Sequence, residues 1–284
     1  MVLSRPDPAA LEAAVRAGEP VHLRYRPDVP DEVVPLCHAS DFAPEWLPPP
    51  ACPSDLKVTA VIPASRHRPI GLAALEAQDC EVEVLVLANG AYGEGVRVPW
   101  RGHGRTRQVG VELAEHPYVL FTVDDAIPLG AGFVRTLVEA LEEGGHDAVF
   151  ARQVPWPTSD PVTRARLRRW TPPDGPGEAT LDNVAALYRK QALLDDPFDA
   201  VDIAEDWAWG RRHRVGYVPR ATVVHAHARR FLSAYRRTRD LHRVIDAPKV
   251  DAATMVRALP STVGRDFPGA VGELLGQYVG GRRR

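Results

Sequence analysis

From Lys57 onward, short apolar runs alternate with amphipathic stretches. Val58 to Ile62 lies in VTAVIPAS and is closed by Pro63. EVEVLVLANG ends at Asn89-Gly90, and YVLFTV ends at Asp124-Asp125. HDAVFARQV is a fourth run. Each is short, rich in β-branched or aromatic side chains and bounded by turn residues, which predicts strands, the Asp-Asp one buried on both faces. Between them the apolar positions fall at helical spacing: Ile70 to Ala77, the end of WRGHGRTRQVGVELAEH, and Phe133, Leu137, Val138 and Leu141. Strand and helix alternating at short intervals predict an α/β fold with a mostly parallel sheet covered on both faces.

The rhythm changes on either side of this block. Residues 1–55 read as an N-terminal extension with a short helix at Pro8 to Ala17 and a short strand at Val21 to Tyr25. A proline-rich stretch from Pro27 to Pro53 follows. After Pro155 comes an Arg-rich helix, WPTSDPVTRARLRRW. The stretch TPPDGPGEAT is too rich in Pro and Gly to be regular and is expected to be a mobile loop. Asn183 to Lys190 returns as a strand, Glu205-Asp206 opens a helix, and VGYVPRATVVHAHARR supplies one or two strands ending in His225-x-His227. From Phe231 the chain is helical, with arginines interleaved, and Gly280-Gly281 is expected to free a terminal arginine run. The expected organisation is an extension at 1–55, a main α/β domain at 56–237 and a helical segment at 238–284.

Composition narrows the function. A net charge of −2 gives no overall field for nucleic acid. Lys57, Lys190 and Lys249 are the lysines among 35 basic residues, and arginine suits bidentate phosphate binding. Cys37, Cys52 and Cys80 form neither a zinc pattern nor a disulfide framework, which points to a reducing cytoplasm. No signal peptide or membrane-spanning stretch is visible. The first strand is not followed by G-x-G-x-x-G, and no G-x-x-x-x-G-K-[ST] occurs, so dinucleotide and P-loop chemistry are set aside.

Asp124 and Asp125 stand at the carboxyl end of a predicted parallel strand, where open α/β sheets bind ligands. Adjacent carboxylates repel, so such a pair is commonly compensated by a cation or by donors, although capping of the loop is an equal reading of the dipeptide. Glu205-Asp206 in a first helical turn also has a plain reading as helix-dipole compensation.

The order of these segments is more telling than any one of them. VTAVIPAS, LVLANGA, RTRQVGVELA, FTVDDAIP, PFDAVDIAEDWAWGRRHRVGY and VVHAHARR resemble, in sequence, the motifs of family 2 glycosyltransferases of the GT-A fold. The rhamnosyltransferase-like branch is the most similar. The resemblance spans roughly Lys57 to Arg237. It implies an inverting transfer from a nucleotide-activated sugar to a hydroxyl of a saccharide, lipid-linked glycan or small molecule. It implies Asp125 as ligand of Mn2+ or Mg2+, with Asp124 at the ribose or the metal and His225 completing the metal shell or touching the diphosphate. Arg107 matches an arginine near the nucleotide phosphates, a role that Arg105, Arg66 or Arg68 could share. Pro63, Ala64 and Asn89 fall in the nucleotide-sugar site. Asp206 matches the general base, with Glu205 as runner-up. Trp170 is the preferred residue for stacking on a sugar, ahead of Trp207 and Trp209.

Two departures bear on the nucleotide. Ala88 stands where the family commonly has an Asp that contacts the base, and Val123 replaces the first acid of a fuller Asp triplet. Two other functions are compatible with the pattern. A sugar nucleotidyltransferase would carry a Gly-rich basic loop after the first strand, which PASRHRPIG matches poorly. A catalytically inactive binding protein would have no need of both acidic pairs. The interleaved arginines of the C-terminal helices leave room for peripheral contact with an anionic membrane, although a packed helix with a solvated face is the favoured reading.

Overall fold

A computed structural model describes residues 54–155, 161–177 and 180–225, the helices at 231–244 and 267–281, three short strands near the N-terminus, and residues 52 and 159. The strands β1 (Val2–Leu3), β2 (His22–Arg24) and β3 (Val33–Pro35) form a small sheet in that order. The expected strand at Val21 to Tyr25 is therefore present as β2, whereas the expected helix at Pro8 to Ala17 lies outside the described residues.

The body of the protein is an eight-stranded sheet. Its strands are β4 (Lys57–Ala64), β5 (Glu81–Ala88), β6 (Val96–Arg97), β7 (Tyr118–Thr122), β8 (Ile127–Pro128), β9 (Ala148–Val154), β10 (Ala185–Arg189) and β11 (Val215–Val224), in the order β6-β5-β4-β7-β10-β9-β11-β8. The pairs β4–β5, β4–β7, β5–β6 and β9–β11 are parallel. β10 runs antiparallel to both β7 and β9, and β8 antiparallel to β11. The helices are α1 (Leu72–Glu76), α2 (His103–Leu113), α3 (Phe133–Glu143), α4 (Pro161–Trp170), α5 (Lys190–Asp195), α6 (Glu205–Gly210), α7 (Phe231–Val244) and α8 (Phe267–Gly281).

Strand alternation explains why helices cover both faces. Ala60 and Ile62 of β4 point into a core built with Phe133, Leu137 and Leu141 of α3, while Val61 between them points into a second core with Val111 of α2, Phe121, Tyr188, Phe198 and Trp209. All of these are buried. At about 1.5–3 kcal/mol for each large apolar side chain, the two layers supply most of the drive to fold. β4 continues through Pro63 to Ala64 rather than stopping at the proline. The strand at β11 is a single one, with a register shift between Val218 and Thr222 around Pro219.

At the C-terminus α7 packs against α8. The approach is close at Gly276, where a Cβ would lie 2.6 Å from the Tyr235 carbonyl oxygen and 2.8 Å from the Arg239 nitrogen. α8 runs through Gly280 to Gly281, and the terminal arginine run at 282–284 lies outside the described residues. α7 crosses the expected boundary at 237/238. Among the described residues no helix is long and apolar enough to cross a membrane.

Candidate active site

The rim of the sheet gathers the predicted acidic residues in two groups. The first begins where β7 ends. After Asp124 and Asp125 the chain enters β8, whose Ile127 and Pro128 pair with Val224 and Val223 of β11. That pairing folds the segment across to the end of β11, although β10 and β9 lie between β7 and β11 in the sheet. Asp125 Oδ1 thereby comes within 3.4 Å of Nε2 of His225. His225 is 2% exposed, and its backbone N–H donates to the Val154 carbonyl at 2.9 Å. Burial and the charge of Asp125 push the Asp124 carboxyl above the ordinary range, opposed by the nearby His67 and by the Ser65 backbone. Asp125 and Asp124 are half-buried, so both remain accessible from the rim.

The second group opens α6. Ala204, the residue before it, has φ of 65°, a left-handed conformation that an alanine adopts at a cost of about 1–2 kcal/mol. From there Glu205 turns inward and is 3% exposed. It accepts from Arg107 Nη1 at 2.5 Å and from Asn183 Nδ2 at 3.1 Å. Arg107 reaches it because α2 starts very close to this segment: a Cβ on Gly104 would lie 2.0 Å from the Asp199 carbonyl oxygen, so only glycine fits. Burial alone would raise the Glu205 carboxyl, but the charges of Arg107 and His103 hold it below its usual value.

Asp206, one residue on, is half-buried. It accepts from the Asn183 backbone N–H at 2.9 Å and the Trp207 N–H at 2.8 Å. Burial and the charges of Glu205 and Asp182 push its carboxyl up to about 7.

Two neighbouring residues just before β10 link the groups, Asn183 directly to the second and Asp182 to His225 through Gln153. Asn183 serves Asp206 and Glu205 as above and accepts from the Tyr188 hydroxyl at 2.6 Å. Asp182 Oδ2 accepts from Gln153 Nε2 at 2.6 Å and from Trp170 Nε1 at 3.1 Å, and Gln153 Oε1 stands 3.1 Å from Nδ1 of His225. Sequence reasoning missed Gln153, Asp182 and Asn183. One signal was present: Arg152 and Gln153 are polar in a strand that is otherwise apolar and buried throughout.

The other predicted residues are placed as follows. Arg107 is 6% exposed and ion-paired with Glu205. Arg105, Arg66 and Arg68 are exposed. Pro63 and Ala64 end β4 beside Leu87 and Ala88 of β5, and the Asn89 N–H donates to Ala64 at 3.1 Å. Asn89 lines a cavity of about 280 Å³ with Gly90, Arg97, Pro99 and Trp100, and its buried Oδ1 has no hydrogen-bond partner among the described residues. Trp170 is 37% exposed at the end of α4, whereas Trp209 is fully buried and stacked on His213. His227 lies outside the described residues. Among the described residues no three of His, Cys, Asp and Glu gather as a metal site.

No protein-family model matches the chain, and no curated protein matches it. Solved structures do. A mannosyltransferase from Pyrobaculum calidifontis, in complex with GDP-Man and Mn2+, superposes with a TM-score of 0.50 over 82% of this chain and 78% of that one, at 16% identity. TarS 1–349 of S. aureus, in complex with UDP-GlcNAc, gives 0.45 over 72% and 71%, also at 16% identity. Glucosyl-3-phosphoglycerate synthase from Mycobacterium tuberculosis, with Mn2+, UDP-glucose and phosphoglyceric acid, gives 0.43 over 61% and 72%, at 18% identity. The fold expected from the sequence, a GT-A α/β sheet flanked by helices, is the fold observed.

Proposed function

We propose that the protein is an inverting glycosyltransferase that moves a sugar from a nucleoside diphosphate to an acceptor hydroxyl, with a divalent cation at Asp125 and His225 and Asp206 as general base. The order of sequence motifs supports the finer placement among family 2 enzymes of the rhamnosyltransferase-like branch. One observation carries the reading: a half-buried carboxyl pushed up to about 7 is joined, through Asn183, Asp182 and Gln153, to an aspartate–histidine pair at the same rim of the sheet. Titratable groups with opposed environments at a strand-end rim mark acid–base sites.

The residues fit a cation. Two ligands of one ion with bonds of about 2.1 Å lie about 3 Å apart at right angles, and Asp125 Oδ1 and His225 Nε2 are 3.4 Å apart. One carboxylate and one imidazole leave positions for diphosphate oxygens, which is how Mg2+ and Mn2+ sites at nucleotides are commonly completed, and the imidazole favours Mn2+. When bound, the cation supplies charge to stabilise the departing diphosphate. The mannosyltransferase of similar fold holds GDP-Man and Mn2+.

The chain's own residues supply the rest. Asp206 takes the proton of the acceptor hydroxyl as it attacks the anomeric carbon from the face opposite the leaving group. Its raised carboxyl matches a base working near neutrality. Glu205 is committed to Arg107 and Asn183, which leaves Asp206 the freer of the two. Asn89, which lines the cavity at the β5–β6 rim, is the residue proposed to contact the nucleobase in the role that Ala88 cannot fill. Trp170 offers a partly exposed face to a sugar. A cytoplasmic nucleotide-sugar pool would supply the donor. A thermal-shift screen of nucleotide sugars with Mn2+ tests the donor, since a ligand of the native state stabilises it as ln(1 + [L]/Kd). Donor hydrolysis with and without Mn2+ then tests the chemistry. No shift with any nucleotide sugar in the presence of Mn2+ overturns the reading.

A further inference from the structure

The polar chain behind His225 does more than fill space. Asp182 is held as an acceptor. Its Oδ1 accepts from the Val184 N–H at 3.0 Å, and its Oδ2 accepts from the Trp170 indole at 3.1 Å. An indole N–H can only donate, so both oxygens are acceptors. The group 2.6 Å from Oδ2 on Gln153 must then be the amide NH2, which turns the amide carbonyl of Gln153 toward the histidine ring. A carbonyl oxygen only accepts, so Nδ1 of His225, 3.1 Å away, must carry a hydrogen. The remaining ring nitrogen, Nε2, faces Asp125 Oδ1 at 3.4 Å.

We propose that Asp182 and Gln153 are positioning residues that fix His225 as the Nδ1–H tautomer and so reserve its Nε2 lone pair for a cation shared with Asp125. The cation itself rests on the functional reading above; the tautomer does not. The relay is anchored at its middle member. The Gln153 backbone N–H donates to Thr171 Oγ1 at 3.1 Å, and that hydroxyl contacts the Gln153 carbonyl at 3.2 Å. Gln153 is 5% exposed and His225 2%, so water does not compete for the same donors. A metal-binding histidine commonly donates its other ring N–H to an oriented acceptor, and loss of such a partner typically lowers metal affinity by about 10–100-fold. Here the acceptor is an amide, which has two faces, and Asp182 decides which face is presented.

That logic gives a test by reversal of polarity. Asp182→Asn puts a donor where the carboxylate was. Gln153 can then flip and offer its NH2 to His225, which forces the Nε2–H tautomer. Adding Gln153→Glu restores an oxygen toward Nδ1–H while the amide at 182 donates to the other carboxylate oxygen. The tautomer is read from ring 15N shifts of histidine-labelled protein without metal. Mn2+ affinity is measured by calorimetry in the presence of UDP and of GDP. The expected result is an Nδ1–H His225 in the wild type, loss of that form and about 10–100-fold weaker Mn2+ binding in D182N, and recovery of both in D182N/Q153E. Gln153→Leu, which removes the acceptor outright, should weaken Mn2+ binding to the same extent and serves if D182N does not fold. An Nε2–H wild type, or D182N and Q153L proteins that bind Mn2+ as the wild type does, overturns the relay. A wild type with Nδ1–H His225 and no Mn2+ binding upholds the relay and overturns the cation.

Discussion

Asp206→Asn separates the energetic cost of the base from its use. A carboxyl raised from 3.8 to about 7 binds its proton more tightly in the folded chain than in the unfolded one. Between those values the folded state holds more protons, so stability falls as pH rises through this window and is level above it. Each unit is worth about 1.4 kcal/mol, so the three-unit difference costs about 4 kcal/mol at pH 8 at most, and about 2–4 kcal/mol after allowance for the partial exposure of the group. At pH 4 the cost is nearly absent. Asparagine never ionises and escapes it. It also forfeits one of the two backbone bonds that Asp206 accepts, from Asn183 and Trp207, at about 1–3 kcal/mol and at every pH. The difference in Tm between D206N and the wild type should therefore move in favour of the mutant by about 4–16 °C between pH 4 and pH 8, at about 2–4 °C per kcal/mol for a domain of this size. Scanning calorimetry at the two pH values measures it. In the same protein kcat/KM should rise with pH to a plateau above about 7, and D206N should lose about two to four orders of magnitude of turnover while still binding donor. A Tm difference that is the same at pH 4 and pH 8 refutes the raised carboxyl. An active D206N beside a dead Glu205→Gln refutes the assignment of the base.

Four further outcomes are expected. Asp125→Ala should abolish Mn2+-dependent binding of nucleoside diphosphate in a folded protein, read by calorimetry, because the cation loses its anionic oxygen. Arg107→Met should cost about 3–5 kcal/mol in a denaturant melt, because it leaves the Glu205 carboxylate buried beside Asn183 with its cationic partner gone. The loop from Thr171 to Gly177 should become resistant to protease when nucleotide and Mn2+ are present, as a lid that excludes water from the donor; equal cleavage with and without them removes that role. Anionic liposomes at low salt should leave the protein in the supernatant, since α8 already packs on α7 and Asp240 pairs with Arg239 and Arg243; co-sedimentation that salt reverses would instead assign a membrane-bound acceptor.

The strands and most helices were legible because burial on both faces leaves continuous apolar runs, as in VTAVI and YVLFT, and because α3 keeps a clean 3.6-residue stripe. Both acidic pairs were legible because they stand at element ends. The partners were not. By resemblance Arg107 reads as a phosphate-site arginine, and its pairing with the buried Glu205 comes from the close approach of the two segments at Gly104. The left-handed Ala204 has no sequence signal, since alanine is not a residue that seeks that conformation. Asp182 and Asn183 look like turn formers before a strand, and their role depends on β10 running against its neighbours, a fact of topology and not of pattern.

That reversed strand also has a bearing on how such a protein can diversify. β9 leaves the sheet at Val154 and β10 re-enters it at Ala185, and because the two are antiparallel neighbours the exit and the re-entry lie side by side on one edge of the scaffold. The intervening stretch, which includes α4 and the Pro/Gly loop, is an excursion with both feet planted at the same place. Lengthening it costs only logarithmically in chain entropy, about 0.6 kcal/mol for each doubling. Neither foot shifts the register of the strands that carry the acidic pairs. A whole recognition module could be exchanged there, and a new acceptor met, without redrawing the sheet beneath it.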